Sequence, residues 1–129
     1  MIWRLGDRDD FHRLQQHGRR TRSGTLWMTW VTDVTATPPR VGYSVGRSLG
    51  RAATRNHVRR RLRSVMREIA REEWLPAGLY LVGARPGTER LPFADVAGNM
   101  RRLVRTASQV GLAAQAGPVS RTAQGPVPA

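Results

Sequence analysis

Residues 44–71 read SVGRSLGRAATRNHVRRRLRSVMREIAR, and two patterns overlap in this stretch. Apolar residues recur at spacings of three and four, which at about 100° per residue places them on one face of a helix. Arginines recur every fourth residue and occupy a neighbouring flank. The sequence therefore predicts an amphipathic helix over residues 51–74, with an apolar arc formed by Val58, Leu62, Val65, Met66 and Ile69.

Arginine dominates the polar side of this predicted helix. Nine arginines lie between positions 47 and 71, against one acid, Glu68. A solvated helix face normally mixes the two signs of charge, so this row indicates a polyanionic partner. Guanidinium groups bind phosphate in a bidentate manner, and an asparagine within the row can also donate to phosphate. We predict that nucleic acid contacts Arg47, Arg51, Arg55, Asn56, Arg59, Arg60, Arg63 and Arg67.

Composition points to the same kind of partner. The 129 residues carry a net charge of +13, every basic side chain apart from three histidines is arginine, and there is no cysteine. Nucleic acid is the first choice of partner and an acidic membrane surface the second. Disulfides, zinc knuckles and thiol nucleophiles are excluded. No apolar run is long enough to span a membrane, so a cytoplasmic protein is expected.

The remaining sequence predicts one α+β domain over residues 1–111 and a disordered tail, rich in Ala, Gly and Pro, over residues 112–129. Phe11 and Leu14 lie three apart on one side of a first helix that begins near Asp7 or Asp9 and ends before Gly18. The other predicted elements are a basic joint at 19–24, strands at 25–32, 40–45 and 79–84, a turn at 33–39, and a second amphipathic helix from 93 to about 110.

The residues offer no protein catalytic centre and no metal site. His12 and His17 lie about 140° apart around a helix and do not converge, and His57 is expected to face solvent or phosphate. The acids are scattered, which argues against a two-metal nuclease site. We therefore predict no catalytic residue and no protein-bound cofactor or metal.

The stretch that opens this section resembles the protein subunit of bacterial ribonuclease P. A strand ending in Ser-Val, a basic turn with glycine, and a helix with Arg-Asn followed by spaced basic residues are typical of that family. The matching residues are Arg55, Asn56, Arg59, Arg60 and Arg63. Further similarity lies at Asp10-Phe11 with Gly18 and at 81–86, so that the resemblance covers about residues 5–107.

This resemblance implies a ribosomal-protein-like, two-layer α/β sandwich with a small mixed sheet and a left-handed β-α-β crossover. It also implies that the chain assists a catalytic RNA, which holds Mg²⁺, in removing the 5′ leader of precursor tRNA. The expected partners are ribonuclease P RNA, with one protein per RNA, and the leader strand. The implied leader cleft lies between the first helix and the sheet, with Phe11, Trp27 and Thr29 as candidates.

Trp27 and Thr29 share one face of the predicted strand, and Met28 and Trp30 the other. The alternative is that Phe11 and the tryptophans simply fill the core.

The sequence departs from the family at His57, where an arginine is common, at Gln15, where an aromatic is common, and at Gly78, where an acid is common. Alternative functions are a structural or ribosomal RNA-binding protein without a role in catalysis and, with less support, a DNA-binding module or a self-sufficient nuclease.

Overall fold

A computed structural model describes residues 2–6, 8–72 and 75–116. The elements follow the order β1 (Trp3–Arg4), α1 (Arg8–His17), β2 (Arg19–Ser23), β3 (Leu26–Thr32), β4 (Arg40–Val45), α2 (Ala52–Glu72), β5 (Gly78–Ala84) and α3 (Phe93–Ala116). Short 3-10 turns occupy Arg47–Leu49 and Thr88–Arg90. The described part is therefore a mixed α+β fold, as predicted.

The five strands form one mixed sheet in the order β1-β4-β5-β3-β2. Strand β5 is central, because it pairs in parallel with β4 and antiparallel with β3. Helix α2 connects the parallel neighbours β4 and β5, which is the crossover position that the resemblance implies. Strands β2 and β3 form a hairpin through Gly24, whose positive φ of 61° suits glycine.

Helices α2 and α3 cover one face of the sheet and bury the main core. The apolar arc predicted for α2 is confirmed, since all five of its residues are at most 1% exposed. From the sheet, Met28, Trp30, Tyr80 and Val82 contribute to the same core. Helix α1 packs on the opposite face, where Leu14 joins Leu5, Ala36 and Leu79. The sheet with α2 and α3 forms the expected sandwich, and α1 adds partial cover on the second face.

Two segments differ from their predictions. The prediction of a basic joint at 19–24 is wrong, because Arg19–Ser23 forms an edge strand. Arg20 and Arg22 are exposed on this strand, and its sequence RRTRS shows no apolar alternation. Helix α3 extends to Ala116, so the predicted tail boundary at 112 falls within a helix. Residues 117–129 and Trp74, which ends the predicted long helix, lie outside the described residues, as does the candidate cap Asp7.

Candidate RNA-binding surface and adjoining cleft

The arginine row, formed by Arg47, Arg51, Arg55, Arg59, Arg60, Arg63 and Arg67, follows the flank of α2 beside the buried arc. Arg47 stands in the 3-10 turn before α2, and Arg51 immediately precedes the helix. Arg55 and Arg59 are half-buried, whereas Arg47, Arg51, Arg60, Arg63 and Arg67 are exposed, and so is Asn56. The structure therefore brings together all eight residues predicted to bind nucleic acid, along one flank of the helix and the turn before it.

Asn56 orients one of these arginines. Its Oδ1 accepts a hydrogen bond from Nη1 of Arg59 at 3.0 Å, and Nη2 of Arg59 lies 3.4 Å from the carbonyl oxygen of Val45. The guanidinium is thus held between the helix and the end of β4. A side chain that is already fixed loses less conformational freedom when it binds a phosphate.

Arg61 differs from its neighbours because it stabilises the fold. Its Nη1 donates to the carbonyl oxygen of Leu91 at 2.8 Å, and its guanidinium lies 5.7 Å from the ring centre of Phe93. These contacts join α2 to the segment that begins α3. Arg61 therefore does not belong to the arginine row, although the sequence places it beside Arg60.

None of the eight residues forms an ion pair with another described residue. The ion pairs of the described chain lie elsewhere: Asp10 with Arg40, Asp33 with Arg13, Glu89 with Arg90, and both Glu68 and Glu72 with Arg101 of α3. Glu68, the acid within the basic stretch, thus pairs across to α3. The positive charge of the row is left without an acidic partner in the part of the chain that the structure describes.

A cleft of about 990 Å³ adjoins the row. Its walls come from β1, β4 and α2, with Phe11 of α1 at its border, and the arginines that reach it include Arg59, Arg63 and Arg67. Phe11 is 43% exposed, so it does not fill the core, whereas Leu14 on the same helix is buried. The cleft therefore combines an accessible aromatic ring with guanidinium groups.

Trp3 and Tyr43 also line this cleft, and sequence reasoning did not select them. Trp3 is 53% exposed. The guanidinium of Arg63 lies 5.6 Å from the ring centre of Tyr43, and burial raises the pKa of Tyr43 to about 12, although Arg63 and Arg67 act in the opposite direction. The two-residue period of β4, counted back from Val45, would have placed Tyr43 on the side of α2.

Trp27 and Thr29 do not line the cleft that includes Phe11. They share the face of the sheet on which α1 packs, as predicted, while Met28 and Trp30 point into the core on the other face. A Cβ on Gly83 would overlap the Trp27 indole, and one on Gly18 would overlap the Thr29 methyl group. The guanidinium of Arg20 covers the Trp27 ring at 4.3 Å. The three leader candidates are therefore not brought into one cleft.

The described part of the chain shows neither a metal site nor a membrane span. It contains no group of three or more His, Cys, Asp or Glu side chains that could hold a metal ion. No helix within it is both long enough and apolar enough to cross a bilayer. The positively charged row and the cleft beside it define a small α+β protein with a strongly basic helix face.

Comparison with known proteins gives the family. The family model for ribonuclease P matches residues 2–108, so this chain belongs to the ribonuclease P protein family. Membership implies a role in tRNA 5′ processing as part of ribonuclease P, in association with its RNA. No curated protein matches the sequence.

Solved structures of this family share the fold. The ribonuclease P protein of Staphylococcus aureus is 20% identical with a TM-score of 0.72, and the match covers 81% of this chain and 94% of that one. The protein of Thermotoga maritima is 23% identical with a TM-score of 0.69, over 80% of this chain and 96% of that one. At these identities the likeness concerns the fold.

Proposed function

We propose that this chain is the accessory protein of a ribonuclease P holoenzyme in which the RNA subunit hydrolyses the phosphodiester bond that releases the 5′ leader of precursor tRNA. In this proposal Mg²⁺ is bound by the RNA, and the protein binds both RNAs. The observation that carries the proposal is the arginine row without acidic partners beside a cleft with exposed aromatic rings. The family assignment gives the substrate class.

The arginine row binds the RNA subunit in this proposal. Phosphate contacts by planar guanidinium groups release condensed counterions, which drives binding and makes it depend steeply on salt. Arg59 is already oriented by Asn56, and the exposed arginines adapt to the RNA backbone. The contacts would be made by Arg47, Arg51, Arg55, Arg59, Arg60, Arg63 and Arg67, and Asn56 would contribute by orienting Arg59.

The leader strand occupies the cleft at Phe11 in this proposal. A partly exposed phenyl ring offers a stacking surface that accepts any base, as a protein that meets many precursors requires. Trp3 lies in the same cleft and can extend the stacking surface. Trp27 and Thr29 remain candidates for contact with a more distant part of the RNA leader. Such a contact would require Arg20 to move away from the Trp27 ring.

The test is cleavage of a precursor tRNA at low Mg²⁺ by a bacterial ribonuclease P RNA, with and without this protein, beside the protein alone. We expect stimulation only when both RNA and protein are present, with one protein per RNA in the active complex. RNA binding without stimulation would instead indicate a structural RNA-binding protein. Cleavage by the protein alone would overturn the assignment of catalysis to the RNA.

A pair of matched variants tests the surface. Arg60→Gln with Arg67→Gln removes two exposed charges from the row, while Arg85→Gln with Arg90→Gln removes two exposed charges from the loop after β5. The first variant should lower stimulation at least tenfold and reduce the slope of log K against log salt by about 1.4 to 1.8, at 0.7 to 0.9 per phosphate contact. Equal behaviour of the two variants would contradict the proposed interface.

A further inference from the structure

Strand β4 has an edge that β1 covers only in part. Strand β1 pairs with Arg40 and Val41 of β4, and beyond these pairs the amide of Leu5 donates to the carbonyl oxygen of Val41 at 3.2 Å. Strand β4 itself continues to Val45. In the described sheet, the last residues of β4 therefore lie at an edge that β1 does not follow.

The backbone of Tyr43 faces this uncovered edge. In an extended strand, the N–H and C=O of one residue point to the same side, and those of the next residue point to the opposite side. The carbonyl oxygens of Pro39 and Val41 accept from the amides of Trp3 and Leu5, so they point towards β1. Two residues further along, the backbone groups of Tyr43 point the same way. No described residue accepts from the Tyr43 N–H or donates to its carbonyl oxygen.

Arg59 limits this gap on the other side. Its Nη2 lies 3.4 Å from the carbonyl oxygen of Val45, which is two residues beyond Tyr43 and points to the same edge. Val41 and Val45 are about 13 Å apart, at 3.3 Å per residue. The uncovered stretch therefore presents the backbone donor and acceptor of Tyr43 between a strand contact and a guanidinium group.

The gap opens into the cleft that contains Phe11. Gly42 and Tyr43 line this cleft together with Phe11, Arg59 and Arg63. The phenyl ring of Phe11 is 43% exposed. A ligand in the cleft therefore meets an aromatic ring, guanidinium groups and the free backbone groups of β4.

The size of the gap decides between two kinds of occupant. An unpaired sheet edge commonly takes up another strand, but a strand needs several consecutive free residues. A nucleobase needs one donor and one acceptor side by side, and it stacks on an aromatic ring. The guanidinium groups of Arg59 and Arg63 suit the phosphates of such a nucleotide. The gap therefore favours one base of single-stranded RNA over a peptide.

We propose that the backbone of Tyr43 hydrogen-bonds the edge of the leader base that stacks on Phe11. The proposal deepens the proposed function and rests on it, because it takes the leader to occupy this cleft. The N–H donates to an acceptor of the base, and the carbonyl oxygen accepts from a neighbouring donor. All four bases carry such a pair, a ring nitrogen beside an amino group or a carbonyl oxygen beside a ring N–H. The contact therefore selects a polar base edge and tolerates every natural base.

The first experiment uses the wild-type holoenzyme and precursor tRNAs in which one leader nucleotide at a time carries a nonpolar base of natural shape. Such a base still stacks on Phe11 but forms no hydrogen bond with the backbone of Tyr43. At one leader position we expect the affinity to fall about two- to tenfold, the range for a lost hydrogen bond. Equal affinity for natural and nonpolar bases at every position would overturn the proposal.

The second experiment assigns the contact to the N–H of residue 43. Tyr43→Pro removes the N–H together with the side chain, whereas the control Tyr43→Leu removes the aromatic side chain and keeps the N–H. Proline is tolerated on an edge strand where its nitrogen faces away from the ladder. At the leader position found above, the preference for a polar base should persist in the leucine variant and largely disappear in the proline variant. The same preference in both folded variants would contradict the contact.

Hydrogen exchange of the wild-type holoenzyme gives the answer if Tyr43→Pro does not fold. Peptides that contain residues 42–45 should exchange more slowly with precursor tRNA bound than with leaderless tRNA bound, because the leader alone reaches Tyr43. Identical exchange in the two complexes would overturn the proposal while leaving the proposed function intact. If the protein does not stimulate cleavage, or if the leader adds nothing to the affinity for tRNA, the proposed function itself fails.

Discussion

At the scale of single residues, Asn56 acts through Arg59. Replacing Asn56 by Ala removes the hydrogen bond that orients this guanidinium, and we expect RNA affinity to fall about two- to tenfold, which corresponds to the 0.5–1.5 kcal/mol of such a bond. The salt slope should stay unchanged because no charge is lost. Asn56 is exposed, so the free energy of unfolding should change by less than about 0.5 kcal/mol.

Filter-binding titrations over several salt concentrations check this prediction. In an Arg59→Ala background, Asn56→Ala should have little further effect, since the residue that it orients is already gone. An equal loss of affinity in both backgrounds would mean that Asn56 contacts RNA independently of Arg59.

Gly83 gives a second prediction at this scale. A methyl group at this position would overlap the Trp27 indole, so Gly83→Ala should destabilise the protein by about 1–3 kcal/mol through displacement of the ring. Urea unfolding of the variant measures the loss. In a Trp27→Ala background the penalty should largely disappear, and a penalty of the same size there would place the strain in the backbone instead.

At the scale of elements, Asp10 ties α1 to the sheet. Its carboxylate is 4% exposed and accepts from Nη1 of Arg40 on β4, at 3.1 and 3.2 Å for its two oxygens. Asp10→Ala should cost about 1.5–3 kcal/mol, the range for a charge-assisted hydrogen bond, and should loosen α1 and with it Phe11. Chemical denaturation and hydrogen exchange of the α1 amides measure both effects. A cost below about 0.5 kcal/mol, with α1 still protected, would contradict this role.

The predictability of each element follows from where its apolar residues lie. Helix α2 was predictable because its buried apolar residues recur with the helical period, and the central strand β5 because it is a short apolar run that follows Pro76 and Gly78. Strand β2 was not, since its outward side chains are arginines and its pairing depends on Gly24 and β3. Strand β1 has two residues, both exposed, and carries no local signal.

The candidate site was predictable along one helix but not between elements. The arginine row depends on helical spacing, which the sequence determines. The cleft depends on how β1, β4 and α2 meet, so Trp3 and Tyr43 were missed, and Trp27 and Thr29 do not line the cleft that includes Phe11. Arg61 was separable from the row only through its contact with Leu91.

At the scale of the whole molecule, alkaline pH should destabilise the fold. Burial raises the pKa of Tyr43 to about 12 and also raises that of Tyr80, whose hydroxyl donates to the Pro76 carbonyl oxygen. Tyrosines of the unfolded chain titrate near 10, so above that pH the unfolded state binds fewer protons than the folded state. The contribution of the two tyrosines to stability is therefore constant below about pH 9 and is lost as the pH rises from 10 towards 12.

The composition leaves few other side chains that titrate between pH 9 and pH 12. The chain has two tyrosines and neither lysine nor cysteine, and arginine remains charged in this range. Urea unfolding at pH 8 and pH 11 should show the loss, and Tyr43→Phe should reduce its dependence on pH. Equal stability at the two pH values would contradict the burial of the tyrosine hydroxyls.

The central position of β5 has a consequence for protein synthesis. Strands β1 and β4 pair with each other and β2 pairs with β3, but in the described sheet only β5 links the two pairs. Because β5 is the last of these strands in the chain, a ribosome has already completed α2 before the sheet can close. The nascent chain therefore presents its arginine helix ahead of its finished fold, and the emergence of residues 78–84 sets the earliest moment at which the sheet can close.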